Sequence, residues 1–169
     1  TFVSQANGRG DDRAIADFTW QGIYIALLGG IILTVIGYQS HWLLKLTGHD
    51  PEIQSTTYTY IRIRMISAIG TQVVMALSGF FQGQKDVKTP MWAGIIANVI
   101  NIGLDIILIF GCSGIAVGGS TWFEFEAMGV RGAAIATTIA VFANAAILVV
   151  MMLRREHRLR FNIHRPRRP

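Results

Sequence analysis

The chain has 169 residues, of which 51% are hydrophobic and 15% charged, against roughly 25% charged in a typical soluble domain. With a mean hydropathy of +0.43, this composition excludes a disordered chain and argues against an ordinary soluble enzyme. The net charge of +5 raises nucleic acid as a partner, so the placement of the charge has to decide. A single cysteine, Cys112, excludes a disulfide framework.

In chain order, residues 1–6 read as the end of a helix, and residues 7–13 (Asn-Gly-Arg-Gly-Asp-Asp-Arg) have a turn composition. The start at Thr1 reads as a piece of a longer protein. Residues 18–44 carry no Asp, Glu, Lys or Arg, nor do residues 65–84 or 132–153. Each run reaches the about 20 apolar residues that a membrane-spanning helix needs. A fourth stretch, Trp92 to Gly111, is interrupted only by Asp105. A central Asp costs about 2.5–3.5 kcal/mol on insertion, and Ile, Leu, Val or Phe returns about 0.3–0.6 each. Eleven such residues between Ile95 and Phe110 outweigh it. The reading is an all-α, polytopic transmembrane helix bundle: four spanning helices near 16–44, 57–84, 90–112 and 128–153, plus the end of a fifth. Asp50-Pro51 marks a helix start, Thr89 reads as the N-cap before Pro90, and 111–127 reads as a loop with Trp122 and Phe123 at the membrane interface.

The basic residues set the orientation. Arg9, Arg13, Lys85, Lys88 and the seven arginines after Leu153 fall on one side of four alternating helices. The opposite side holds Lys45, Arg62, Arg64 and Arg131. This positive-inside bias makes the loops at 7–13 and 83–90 and the tail 154–169 cytoplasmic. Topology thus explains the charge: anionic lipid headgroups, not nucleic acid, are the expected partner of the tail. Small residues every fourth position (Gly22, Ala26, Gly30, Thr34; then Gly132, Ala136, Ala140 with Ala133 and Ala143) predict close helix packing. Gly8-Arg-Gly-Asp-Asp-Arg13 and Gly83-Gln-Lys-Asp-Val-Lys88 hint at an internal repeat.

Asn98, Asn101 and Asp105, at i, i+3 and i+7, share one face of the third span. Asp105 lies about 22 Å along the axis from Pro90, in the outer half of the bilayer. An ionisable group there marks a functional cavity or pins helices together. Thr137, with Asn144 one heptad on, and Gln72 are further candidates to line that space. The four histidines have no ligand spacing, and no phosphate-binding loop is present; no metal, cofactor or enzymatic chemistry is predicted.

These residues bear a resemblance. Ser78-Gly-Phe-Phe-Gln-Gly-Gln-Lys-Asp-Val-Lys-Thr-Pro90, Asn98-Val-Ile-Asn-Ile-Gly-Leu-Asp105, Met128-Gly-Val-Arg-Gly-Ala-Ala-Ile-Ala-Thr137 and Gln5-Ala-Asn-Gly-Arg-Gly-Asp11, in this order, resemble the multidrug and toxic compound extrusion (MATE) transporters. The bacterial branch related to the DNA-damage-inducible F protein is the most similar. The resemblance implies a twelve-helix, two-lobe transporter, of which residues 1–153 are the end of helix two and helices three to six of the amino-terminal lobe. Residues 154–169 start the inter-lobe linker. Helix one, which supplies a carboxylate in that branch, and the carboxy-terminal lobe lie outside the chain.

By the same resemblance, Asp105, Asn101 and Thr137 carry ion coupling, with a proton favoured over sodium. The implied activity is antiport of amphipathic or cationic drugs and toxic metabolites by alternating access, in the bacterial inner membrane. A lipid-linked oligosaccharide flippase of the same wider superfamily is the alternative. It is disfavoured because no basic residue lies between Met65 and Gln84 or between Trp92 and Gly111. A non-transporting membrane scaffold, with Asp105 as a helix-pairing group, is a third reading.

Overall fold

The computed structural model describes residues 2–40, 50–117 and 120–154, with 42, 44 and 48. Side chains of 112–125 lie outside this description, as do His41, His49 and the tail from 155. The elements are α1 (Phe2–Gly8), α2 (Asp12–Tyr38), α3 (Pro51–Gly83), α4 (Lys88–Phe110), β1 (Cys112–Val117), β2 (Ser120–Phe125) and α5 (Val130–Met152). The helices α2, α3, α4 and α5 are each long and apolar enough to cross a membrane. The bundle is helical, as its charge-free runs require.

Boundaries differ from the apolar runs where polar residues continue the helix. α2 begins at Asp12 and α3 at Pro51, because capping, not hydrophobicity, starts them. The Asp11 carboxylate accepts from Ala14 N at 3.0 Å and that of Asp50 from Glu52 N at 3.3 Å. Thr89 is not the cap of α4. Val87 holds the cap position, and the carboxylate of Asp86 before it supplies the capping bonds, accepting from Lys88 N and Thr89 N at 3.1 Å each and from Thr89 Oγ1 at 2.6 Å. The 111–127 segment is not a plain loop. Its β1 and β2 pair antiparallel, Cys112 opposite Phe125 and Val117 opposite Ser120.

The faint repeat in sequence is a repeat in backbone geometry. In the first turn Arg9 N and Asp11 N donate to Ala6 O (3.1 and 3.0 Å) and Gly10 N to Asn7 O (3.1 Å). In the second, Gln84 N and Asp86 N donate to Phe81 O (3.0 Å each) and Lys85 N to Gln82 O (3.0 Å). Gly10 and Lys85 take the same left-handed conformation, φ 70° and 66°, and an Asp cap follows each. The two turns lie together: Asn7 Nδ2 donates to Gly83 O at 3.3 Å. At this end sits the core, where Ile15, Leu77, Phe80, Phe81 and Leu148 are fully buried. Arg154, just after α5, stands at the same end, beyond Met152 of that core.

Along the bundle, α2 packs on α3, α3 on α5 and α5 on α4. The small residues make these contacts. A Cβ on Gly30 would stand 2.6 Å from Ile69 Cα, and one on Gly132 would collide with the Leu108 carbonyl. Thr34 Oγ1 crosses from α2 to Met65 O at 2.8 Å.

Candidate functional site

Helical phase tells which candidates meet. On α5, Gly132 meets α4 through Leu108. Thr138 and Val141 meet α3, through a bond from Thr138 Oγ1 to Ile63 O (3.4 Å) and contact with Gly70. At about 100° per residue, Thr137 and Asn144 fall between these two stripes. Ile139 and Phe142 are exposed on the other side. On α4, Ala93 and Ala97 are buried, and Asn101 and Asp105 stand just round from that stripe, half-buried. Carried through the antiparallel packing of α4 on α5, this phase puts Asp105 on the same side of the α3–α5–α4 row as Thr137 and Asn144.

That side is polar and partly unsatisfied. Asn101 Nδ2, Asp105 Oδ1 and Asn144 Oδ1 are buried atoms with no hydrogen-bond partner among the described residues. Each such group costs about 1–3 kcal/mol when left unmade, and a water, an ion, a ligand or a further polar side chain would supply the missing partner. Asn101 therefore does not satisfy Asp105, which removes the simplest structural explanation for a carboxylate inside a span. Thr137 Oγ1 donates to its own helix, to Ala133 O at 2.8 Å, leaving its oxygen lone pairs to accept.

Asn98 shares the helical phase of Asp105 and is exposed, two turns nearer the 83–88 turn. Gln72 is half-buried on α3, about 200° round from Gly70. It therefore lies near the Met65–Ile69–Ala76 stripe that packs on α2, away from α5. Arg64, counted in the sequence only as an outer charge, stands on the polar side of the row by the same phase argument. Its guanidinium is tied to Ser67 Oγ at 3.1 Å. The signal that could have found it is its spacing of three from Ser67 and six from Gly70, which puts it next to the stripe facing α5. A groove of about 390 Å³ between α1, α2 and α3 is lined by Phe2, Phe18, Met75 and Phe80, with Gln21 and Thr19. It holds no ionisable group and lies away from α4 and α5.

The family model MatE matches residues 1–107, well over half of the chain. The chain belongs to the MatE family. Three relatives extend the likeness past the matched region. A probable multidrug resistance protein NorM of Thermotoga maritima is 31% identical over 155 residues, 91% of this chain and 31% of its own length. A probable multidrug resistance protein YoeA of Bacillus subtilis is 29% identical, over 95% of this chain and 33% of its own. DNA damage-inducible protein F of Escherichia coli is 26% identical, over 89% and 30%. This MatE chain thus spans about a third of the length of these relatives. The alignments run past the matched 107 residues and so take in α5, the helix that carries Thr137 and Asn144.

Proposed function

We propose that the chain is the amino-terminal-lobe portion of an ion-coupled exporter of amphipathic, cationic small molecules in a bacterial inner membrane. One observation carries the reading. A carboxylate, Asp105, stands half-buried in a membrane-spanning helix with an orphaned oxygen, beside an orphaned amide of Asn101 and on the same polar side as Thr137 and Asn144. The multidrug resistance names of the relatives supply the substrate class.

In this reading the ionised Asp105 attracts a lipophilic cation in a low-dielectric setting where the attraction is strong. Proton uptake removes the charge and releases the drug, and alternating access about the lobe boundary gives the exchange its direction. A proton suits the site better than sodium, because one carboxylate with amide neighbours offers few anionic oxygens for a metal cation. The turns at 8–12 and 83–88 and the start of the tail, gathered at one end, form the cytoplasmic face.

The test is efflux from proteoliposomes carrying the full-length chain, with a fluorescent lipophilic cation as the probe. A pH gradient, acidic on the side that receives the drug, should drive efflux, and a protonophore should stop it. Efflux that follows only a sodium gradient would overturn the choice of ion. No flux under either gradient would overturn the exporter.

A further inference from the structure

Arg64 takes no part in the exchange at Asp105 and is held inside the helix row. Arg64 Nη1 donates to Ser67 Oγ at 3.1 Å, and Ser67 Oγ donates to the Arg64 carbonyl at 2.6 Å. Ser67 is 2% exposed and three residues from Gly70, whose Cβ position touches Val141 of α5. The direction of the Arg64 side chain is unusual. Helical side chains lean toward the N-terminus of their helix, which in α3 is the end away from the 83–88 turn. An arginine near that end reaches headgroups simply by following the lean. Arg64 instead doubles back one turn toward the middle of the span. Its neighbour Arg62 takes the other course, its guanidinium 4.7 Å from the Tyr38 ring centre and 5.5 Å from that of Tyr58. Among the described residues no carboxylate pairs with Arg64, and a half-buried guanidinium with one such bond is an incomplete arrangement.

Its depth matches the polar side. The bond from Thr138 to Ile63 O fixes the register of α3 on α5, and Gly132 on Leu108 fixes that of α4. Counting about 1.5 Å per residue, Arg64 and Asp105 differ in depth by about one helical turn. Both flank α5 on the same side of the row.

We infer that Arg64 is the internal counter-charge of Asp105, competing from α3 with any cation that the Asp105 carboxylate binds. The inference rests on the reading of Asp105 as the cation-binding group. α3 and α4 stand on either side of α5, two helix spacings of about 8–10 Å apart, which leaves the two charged groups about 15 Å from each other on that side of the row. At an effective dielectric near 20, that separation changes cation affinity about fivefold. Other charged groups do not take this role. Arg131 on α5 is exposed and turned about 120° from Thr137. Arg62 is engaged with tyrosines, Tyr60 on the side of Arg64 is a neutral phenol, and Glu126 in the connector is exposed.

The experiment uses the full-length chain in detergent, with tetraphenylphosphonium as the probe and calorimetry as the readout. Arg64→Gln should tighten Kd about fivefold, Arg64→Lys should leave it unchanged, and Asp105→Asn should erase the gain. An unchanged Kd for Arg64→Gln, or the same gain in the Asp105→Asn background, overturns the inference. A double-mutant cycle of Arg64→Gln and Asp105→Asn on Tm gives a ligand-free check. The two losses should be non-additive, and strict additivity overturns the pairing. If Asp105→Asn exports normally while the cycle stays non-additive, the transport reading fails and the pairing stands.

Discussion

Gly132→Ala isolates the contact that holds α4 and α5 in register. The added Cβ would collide with the Leu108 carbonyl oxygen and lie 2.6 Å from the Leu108 carbonyl carbon and 3.0 Å from its Cβ, where ordinary contact begins near 3.5 Å. The Leu108 carbonyl is itself fixed, accepting from Met128 N at 2.9 Å, and backbone cannot swing aside as a side-chain tip can. The helices must therefore part by about 1 Å, which forfeits a quarter to a half of each affected packing contact. Overpacking of this kind costs about 1–3 kcal/mol. The helix-propensity gain of Gly→Ala, about 1 kcal/mol, offsets only part of it. Gly94→Ala in α4 is the control, since a Cβ there meets nothing within 4 Å and only the propensity gain remains. Thermal unfolding of the full-length chain in detergent should show Gly132→Ala melting several degrees below the parent and Gly94→Ala at or above it. Equal or higher Tm for Gly132→Ala would refute the close-packing argument.

Three other expectations concern the turns and the topology. Asp86→Ala should destabilise by about 1–2 kcal/mol and Asp11→Ala by no more than about 1, because Asp86 accepts three bonds around the start of α4 while the Asp11 side chain accepts from Ala14 N; equal losses in chemical denaturation would count against the capping assignment. In a background without Cys112, a single cysteine at Gly119 should react with a membrane-impermeant thiol reagent in intact cells, and one at Lys88 should not. Labelling at position 88 would reverse the orientation. The 169 residues expressed alone should insert without conferring drug resistance on a pump-deficient strain, and restored efflux would show that this third of a MatE chain is sufficient.

The spans were legible because membrane helices need long charge-free runs, and 65–84 and 132–153 fall almost wholly within α3 and α5. Charge-free runs say nothing of polar helix ends, so the starts of α2 and α3 came earlier than hydropathy implies. Thr89 looked like a cap because it precedes Pro90, yet Asp86 caps from further back by bonding both the Thr89 N–H and its hydroxyl. The hairpin was missed although its signal is present: Gly118-Gly119 stands between residues rich in β-branched and aromatic side chains, the pattern of a two-residue turn. Spacing placed Asn101 and Asp105 on one face. It could not tell that Gln72 turns toward α2, or that Arg64 turns inward, because the phase of a helix against its neighbours comes from contacts such as Gly70 on Val141. The internal repeat rested on six positions in sequence and is carried in structure by matching hydrogen bonds around Phe81 and Ala6.

The proposal that Asp105 carries the exchange of ion for drug is tested by export from the Asp105→Asn variant of the full-length chain at normal membrane expression. Asn keeps the size of the side chain and an acceptor oxygen but can neither carry a charge nor release a proton. Export should fall to background while Tm stays within a few degrees of the parent, and Asp105→Glu should retain part of the activity. Normal efflux by the Asn variant would contradict the proposal and leave Asp105 as a packing group between α4 and α5.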